Sequence, residues 1–199
     1  MVADYVISTY LRSEDGIYVN LFTPSVVSWK ARGVPARLIQ TTTYPETDSI
    51  ELRVEVATAC EFTIYVRIPR WLKSPAQLAI NGKAIAVAAE PRTFAALPRR
   101  WQTKDSVQIR LPFSFWTQPV DQQHPNTVAL MWGPLMLVAL DPPLALPKKW
   151  NASSPEGLRA VPYSPLTFEV SREVERLLFV PFYRIRDEVY TTYIQQQPA

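Results

Sequence analysis

The chain has 199 residues, of which 47% are apolar and 20% are charged, a composition typical of globular proteins rather than disordered segments. Its 21 basic and 18 acidic residues leave a net charge of +3 without a long basic block, which argues against a nucleic-acid partner. One cysteine and one histidine exclude a disulfide framework and a zinc site built from those residues, and 19 prolines against 5 glycines disfavour long helices.

No segment of the sequence reads as an export signal or a membrane span. Asp4 lies where a secretory signal needs basic residues. The most apolar stretch, residues 128–140, is too short to cross a bilayer and is interrupted by Gly133 and Pro134. We therefore expect a soluble chain with no membrane partner, and the sequence does not indicate its compartment.

The first half of the chain has the alternation of half-buried antiparallel strands. After a loosely alternating run at residues 16–22, residues 49–56 and 61–68 alternate apolar and polar side chains, and the short link between them predicts a hairpin. Asn81-Gly82 between apolar residues is the strongest short hairpin signal. With further strands at residues 93–97 and 106–111, the turn signals have the rhythm of a β-sandwich or barrel.

The second half begins at a proline-rich junction, residues 112–125, and continues with two apolar strands within residues 128–140. Residues 141–165 hold six prolines together with Ser, Asn and Gly, which predicts a long surface loop. Strands resume at three places: residues 166–170, 178–185 and 189–194.

The sequence context of each candidate catalytic residue favours a structural role over a catalytic one. His124 lies in a polar, proline-bounded loop, which favours a solvated histidine over a general base. Cys60 has no adjacent basic residue that would lower its pKa, so we expect a packed thiol and not a nucleophile. Two adjacent acid pairs are expected in surface turns, without the geometry of a glycosidase pair: Glu14-Asp15 and Asp187-Glu188.

Most of the six tryptophans are expected to fill the core or the space between domains, but an exposed one is a candidate for ligand binding, because aromatic side chains stack on sugars. Trp71 follows the proline that ends a strand, and Trp150 follows two lysines in the predicted long loop. We expect Trp71 to be at least half buried, plugging the end of a strand, which leaves Trp150 as the better candidate for exposure.

Segments spread over nearly the whole chain resemble, in order, the region downstream of the catalytic barrel in glycoside hydrolase family 127, the β-L-arabinofuranosidases. In residues 100–112, Lys104 lies where that family usually has glycine. The similar segments are residues 17–25 (IYVNLFTPS), 39–45 (IQTTTYP), 62–71 (FTIYVRIPRW), 80–82 (ING), 100–112 (RWQTKDSVQIRLP), 128–135 (VALMWGPL) and 181–190 (PFYRIRDEVY).

The resemblance implies a chain without the catalytic machinery of that family. There, an (α/α)6 barrel carries a cysteine nucleophile on a zinc ion held by cysteines and a glutamate, and a second glutamate is the acid/base. The paired cysteines precede the segment that corresponds to residues 2–11, and Cys60 matches none of these positions. We therefore expect no catalytic residue, no metal and no cofactor in this chain.

The fold that we predict is all-β, with two antiparallel β-sandwich, jelly-roll-like domains at residues 13–115 and 116–199. Residues 1–12 are expected to be a remnant of the last helix of the barrel. Four apolar residues of that remnant would then lack their packing partners: Val2, Tyr5, Val6 and Tyr10.

The predicted function is that of the non-catalytic C-terminal part of a family 127-like glycoside hydrolase, which packs on and stabilises the missing (α/α)6 domain. The alternative is a carbohydrate-binding module in which exposed Trp150 or Trp71 stacks on sugar rings. A freestanding enzyme is the weakest hypothesis, because the cysteine and histidine counts oppose it. The expected partners are the catalytic domain and, for the alternative, a carbohydrate.

Overall fold

The computed structural model describes residues 7–141, 157–171 and 176–195. Over these residues the chain is all-β, as predicted, apart from one turn of 3-10 helix at Phe182–Arg184. It divides into an N-terminal unit, Met1–Pro112, and a C-terminal unit, Phe113–Ala199.

The N-terminal unit is built from two sheets. Sheet A has the strand order β1-β2-β6-β9, and sheet B has the order β3-β4-β5-β10-β7-β8. The strands are β1 (Tyr10–Arg12), β2 (Gly16–Val19), β3 (Ser25–Ala31), β4 (Val34–Thr42), β5 (Ser49–Val56), β6 (Cys60–Arg67), β7 (Gln77–Ile80), β8 (Lys83–Ala84), β9 (Phe94–Trp101) and β10 (Ser106–Arg110).

Both sheets contribute to one core, which makes this unit a β-sandwich. Alternate side chains of sheet A, such as Ile17 and Ile64, are buried in the same cluster as Leu52 of sheet B. Trp101 is fully buried in this core, and its indole N–H donates to the Phe62 carbonyl at 2.9 Å. The polar group of this large core side chain is therefore satisfied.

One strand pair of sheet A is parallel, in contrast to the antiparallel pairing that we predict. Strand β2 runs parallel to β6 with Gly16 beside Thr63. A Cβ atom on Gly16 would lie 2.1 Å from the Thr63 carbonyl oxygen, so only glycine allows the two backbones to approach this closely.

The hairpin predicted from residues 49–56 and 61–68 is wrong. Both segments are strands, but β5 pairs with β4 and β10 in sheet B, whereas β6 pairs with β2 and β9 in sheet A. Both strands bury their apolar side chains in the same core, so they show the same alternation whether they lie side by side or in facing sheets. The short link between them therefore crosses from one sheet to the other.

Two tight hairpins close strand pairs of sheet B. The hairpin at Asn81-Gly82 is confirmed: β7 and β8 are antiparallel, with φ of 51° at Asn81 and 77° at Gly82. Sequence analysis missed the hairpin of β3 and β4, whose turn residues Arg32 and Gly33 have φ of 48° and 85°. Two positive φ values in succession are the geometry of a type I′ turn, which matches the twist of the strands.

The N-terminal segment differs from the predicted helix remnant where the structure describes it. Tyr10–Arg12 form strand β1, which pairs with β2. Tyr10 packs against the core, and its hydroxyl lies 2.9 Å from Ser25 Oγ and accepts from Gln40 Nε2 at 3.1 Å. Tyr10 is therefore not left without partners, because its own domain covers it. The other three residues expected to lack partners lie outside the described residues: Val2, Tyr5 and Val6.

The C-terminal unit forms one antiparallel sheet of order β11-β12-β13-β16-β15-β14, and short strands β17 and β18 pair with β13 and β12. Leu130, Leu137 and Phe179 are among the buried residues of its core. The strands are β11 (Phe115–Pro119), β12 (Thr127–Trp132), β13 (Leu135–Leu140), β14 (Leu158–Ala160), β15 (Phe168–Ser171), β16 (Arg176–Pro181), β17 (Tyr190–Thr191) and β18 (Tyr193–Gln195).

Two predicted boundaries in this unit need correction. Strand β14 lies within the predicted loop at residues 141–165, because Leu158 pairs with Val170 and packs against the core; residues 142–156 lie outside the described residues. The strand predicted at residues 178–185 is Arg176–Pro181, and the chain turns into the 3-10 helix directly after Pro181.

Candidate functional site

The single histidine lies in an exposed turn, as predicted. His124 Nδ1 is 2.9 Å from Asp121 Oδ1, and the His124 backbone N–H donates to the same oxygen at 2.7 Å. Hydrogen bonding from the His124 side chain holds the pKa of the Asp121 carboxyl below its ordinary value. The hydrogen bonds between Asp121 and His124 hold their own loop in shape. This contact alone does not make His124 a general base, because a base also needs a nucleophile that it can activate.

Cys60 begins strand β6 and has the environment of an unreactive thiol. Desolvation raises the pKa of this thiol, and the opposing charge of Arg100 does not reverse the shift. A raised pKa lowers the fraction of thiolate, which is the nucleophilic and metal-binding form. Within residues 7–141, 157–171 and 176–195, no three His, Cys, Asp or Glu side chains come together as a metal site.

The acid pairs lie in exposed turns, as expected. Asp15 accepts hydrogen bonds from Ser13 Oγ at 2.6 Å and from the Tyr65 hydroxyl at 2.5 Å, and these bonds lower the pKa of its carboxyl. Glu188 accepts from the Arg186 backbone N–H at 2.8 Å, which lowers its pKa as well. A general acid needs a raised pKa, so neither carboxyl is prepared to protonate the leaving group of a glycoside.

Trp71 is largely buried, as expected, and packs against the core of the N-terminal unit. Its indole N–H hydrogen-bonds to the Tyr44 hydroxyl. Burial raises the pKa of Tyr44 to about 12, although the Trp71 hydrogen bond and the charge of Arg67 act in the opposite direction. Trp150, the second candidate for sugar stacking, lies outside the described residues.

Asp105 is a buried carboxylate that sequence analysis did not single out, although it lies in the RWQTKDSVQIRLP segment. Its side chain accepts from Asn81 Nδ2 at 2.7 Å and from the Gln102 backbone N–H at 3.0 Å. Arg99 Nε lies 3.5 Å from the same carboxylate. These donors hold two turns together, so Asp105 has a structural role.

The outer face of sheet A is aromatic. The register places Leu11, Tyr18, Tyr65 and Ala96 in one row across β1, β2, β6 and β9. Tyr18 and Tyr65 stack with ring centroids 4.2 Å apart, and Phe94 meets Tyr18 edge-on at 5.1 Å. We call these five residues the outer aromatic face.

The outer face of sheet B is mostly polar, although Val26 on β3 is exposed. Glu51 and Gln108 are neighbours on β5 and β10, and Arg110 Nε donates to Asp48 Oδ2 at 2.8 Å. An open depression of about 610 Å³ lies on sheet B, and its lining includes Glu51, Ala79 and Gln108. Among the described residues, no helix is long and apolar enough to cross a membrane.

Comparison with solved structures shows where this fold recurs. The chain is similar to Ara127N, a GH127 beta-L-arabinofuranosidase from Geobacillus stearothermophilus T6, with a TM-score of 0.75 and 23% identity over 98% of this chain. A second similar structure is the GH127 beta-arabinofuranosidase BT3674, with a TM-score of 0.71 and 17% identity over 95% of this chain. The chain spans 36% of the length of each of these relatives.

The sequence comparisons match a shorter part of the chain than the structural ones. No curated protein sequence matches the chain. A family model does match, over residues 16–113, and it describes the middle domain of GH127 beta-L-arabinofuranosidases. The match does not confirm the C-terminal placement expected from the resemblance, because the matching residues correspond to a middle domain. Residues 16–113 of this chain therefore carry the sequence pattern of the GH127 middle domain.

Proposed function

We propose that this chain is a non-catalytic β-sandwich part of a GH127-type glycoside hydrolase, and that it packs on and stabilises a catalytic domain that lies outside the chain. The observation that carries the proposal is the family match at residues 16–113 in a chain that covers 36% of similar enzymes. The N-terminal unit then takes the place of the middle domain, and the C-terminal unit follows it.

The chemistry of the described residues supports a non-catalytic role. Cys60 has a raised pKa, whereas the carboxyls of Asp15 and Glu188 have lowered ones. Glycoside hydrolysis needs the reverse: an activated nucleophile and an acid with a raised pKa. We propose no cofactor for this part of the enzyme.

A carbohydrate-binding function through Trp71 has less support. A stacking platform needs an exposed ring and free polar groups, but Trp71 packs on the core and its N–H is bonded to Tyr44. The carbohydrate-binding alternative therefore depends on Trp150.

The function can be tested with three proteins. These are the 199-residue chain, the longest polypeptide encoded by its reading frame, and that polypeptide without the 199 residues. We expect the long polypeptide to hydrolyse p-nitrophenyl β-L-arabinofuranoside and its truncated form to unfold at a lower temperature. The chain alone should show no hydrolysis and no stoichiometric zinc. Chelator-sensitive hydrolysis by the chain alone, or equal unfolding temperatures of the two longer proteins, would overturn the proposal.

A further inference from the structure

The outer aromatic face runs across the whole width of sheet A. Leu11, Tyr18, Tyr65 and Ala96 are register neighbours on the four strands, and the residues on either side of Tyr18, Ile17 and Val19, are fully buried in the core. Because strand side chains alternate between faces, the row points away from that core. Sheet A thus presents large apolar side chains on both of its faces.

Such a pattern is typical of sheets that are covered on both sides. An antiparallel sheet of a sandwich normally has one apolar face and one polar face. Sheet B follows this rule, because its outer face carries the Arg37–Glu55 ion pair at 3.0 Å and the Arg110–Asp48 pair at 2.8 Å. The two sheets belong to the same domain, so overall composition does not explain the difference.

The face also has the anatomy of a protein interface. Its aromatic centre continues at β1 into Leu11, which is 49% exposed. Polar groups surround this centre: Asp15 bonds to the Tyr65 hydroxyl, and Arg67 donates to the Asn20 carbonyl at 3.4 Å. An apolar, aromatic centre with a polar rim is characteristic of specific protein interfaces.

We propose that the outer aromatic face is the surface on which the catalytic domain of the same polypeptide packs. This inference rests on the proposed function, because the chain spans only 36% of the length of the similar enzymes. A sugar is a poorer occupant, since Tyr18 and Tyr65 stack on each other and their stacked faces are not free for a sugar ring.

The chain offers a matched pair of variants for the test. Leu11 on β1 and Val26 on β3 are exposed aliphatic residues near the sheet edges, at 49% and 52%, but β1 belongs to sheet A and β3 to sheet B. Leu11→Lys places a charge on the outer aromatic face, and Val26→Lys places the same charge on the other sheet. Both side chains are exposed, so the variants should fold, as thermal unfolding can verify.

The measurement is the affinity of each 199-residue protein for the remaining part of the long polypeptide, produced separately, by isothermal titration calorimetry. We expect Leu11→Lys to weaken binding at least tenfold, since it would bury a charge, and Val26→Lys to change it less than twofold. Equal binding by both variants would overturn this surface and leave the proposed function standing. No binding by the wild-type chain to a remaining part that circular dichroism shows to be folded would overturn both. A wild-type dimer that Leu11→Lys converts to a monomer would overturn the catalytic domain as the occupant.

Discussion

Asn81 and Asp105 fasten two turns of the N-terminal unit to each other. Asn81 Nδ2 donates to Asp105 Oδ1 at 2.7 Å, and Asn81 Oδ1 accepts from the Ser106 backbone N–H at 2.8 Å. The turn between β7 and β8 is thereby joined to the turn between β9 and β10. Asp105 is only 3% exposed, so its charge depends on these donors for stabilisation.

Removal of the Asp105 carboxylate should strongly destabilise the fold. Asp105→Ala leaves the donors on Asn81 and Gln102 without their acceptor, so we expect the free energy of unfolding to fall by about 3 kcal/mol. The control is Asp48→Ala, which removes the exposed ion pair with Arg110 and should cost less than about 1 kcal/mol. Urea unfolding measures both values. A similar cost for the two variants would contradict the structural role of Asp105.

The Asp105 carboxyl should also make the free energy of unfolding depend on pH in the acidic range. Burial alone would raise the pKa of Asp105, but hydrogen bonds from Asn81 and Gln102 and the charge of Arg99 outweigh it, so the pKa lies below 3.8. A lowered pKa stabilises the fold above about pH 4 and loses that effect as pH falls through the folded-state value. The difference in free energy of unfolding between the wild type and Asp105→Asn should therefore become smaller as the pH falls from 5 to 2.5. If urea titrations show the same difference at all of these pH values, the lowered pKa of Asp105 is refuted.

Local signals in the sequence identified several strands and the turn at Asn81-Gly82, but they missed the hairpin of β3 and β4 and did not determine long-range pairing. Asn81-Gly82 specifies its own hairpin through backbone conformation. Alternation placed strands β5 and β6 but could not distinguish neighbours in one sheet from strands facing across the core. Asp105 was missed because its main partner, Asn81, lies 24 residues away. The loose alternation around Tyr18 was itself a signal that both faces of β2 carry apolar side chains.

Gly16 should be intolerant of any side chain. Gly16→Ala places a Cβ atom 2.1 Å from the Thr63 carbonyl oxygen, so β2 and β6 must separate, and we expect a loss of about 3 kcal/mol in unfolding free energy. Gly33→Ala is the control: its Cβ meets nothing within 4 Å, and only the positive φ of 85° opposes it, at a cost of about 1 kcal/mol. If thermal unfolding shows equal losses, the close approach of the two strands is not what constrains Gly16.

Lys104 is expected to be a site where glycine stabilises the protein. Its φ of 79° is in the left-handed region, where a side chain is unfavourable. Its backbone N–H, a group that glycine also has, donates to the Val54 carbonyl at 3.0 Å. Lys104→Gly should raise the free energy of unfolding by about 1 kcal/mol. Lys83→Gly, in strand β8, should lower it by about the same amount, because glycine weakens a strand. A destabilised Lys104→Gly protein would count against this backbone conformation.

The Trp71 indole should contribute to stability through Tyr44. Trp71→Phe keeps an aromatic ring on the core but removes the N–H that bonds to the largely buried Tyr44 hydroxyl. We expect a loss of about 1 to 2 kcal/mol in unfolding free energy. In the Tyr44→Phe background the same substitution should cost less, because the hydroxyl is already absent, and a double-mutant cycle gives the difference. Additive losses would show that this hydrogen bond does not stabilise the fold.

Trp71 should also take no part in sugar binding. Its ring is occupied by the core and its N–H by Tyr44, so an arabinose-containing oligosaccharide has neither a flat face nor a donor to bind there. Tryptophan fluorescence, titrated with such oligosaccharides to millimolar concentration, should therefore respond identically in the wild type and in Trp71→Phe. Saturable quenching that disappears in Trp71→Phe would contradict this expectation and favour the binding-module alternative. Quenching that survives in Trp71→Phe but disappears in Trp150→Ala would assign sugar binding to Trp150, and the chain would then bind carbohydrate as well as pack on a catalytic domain.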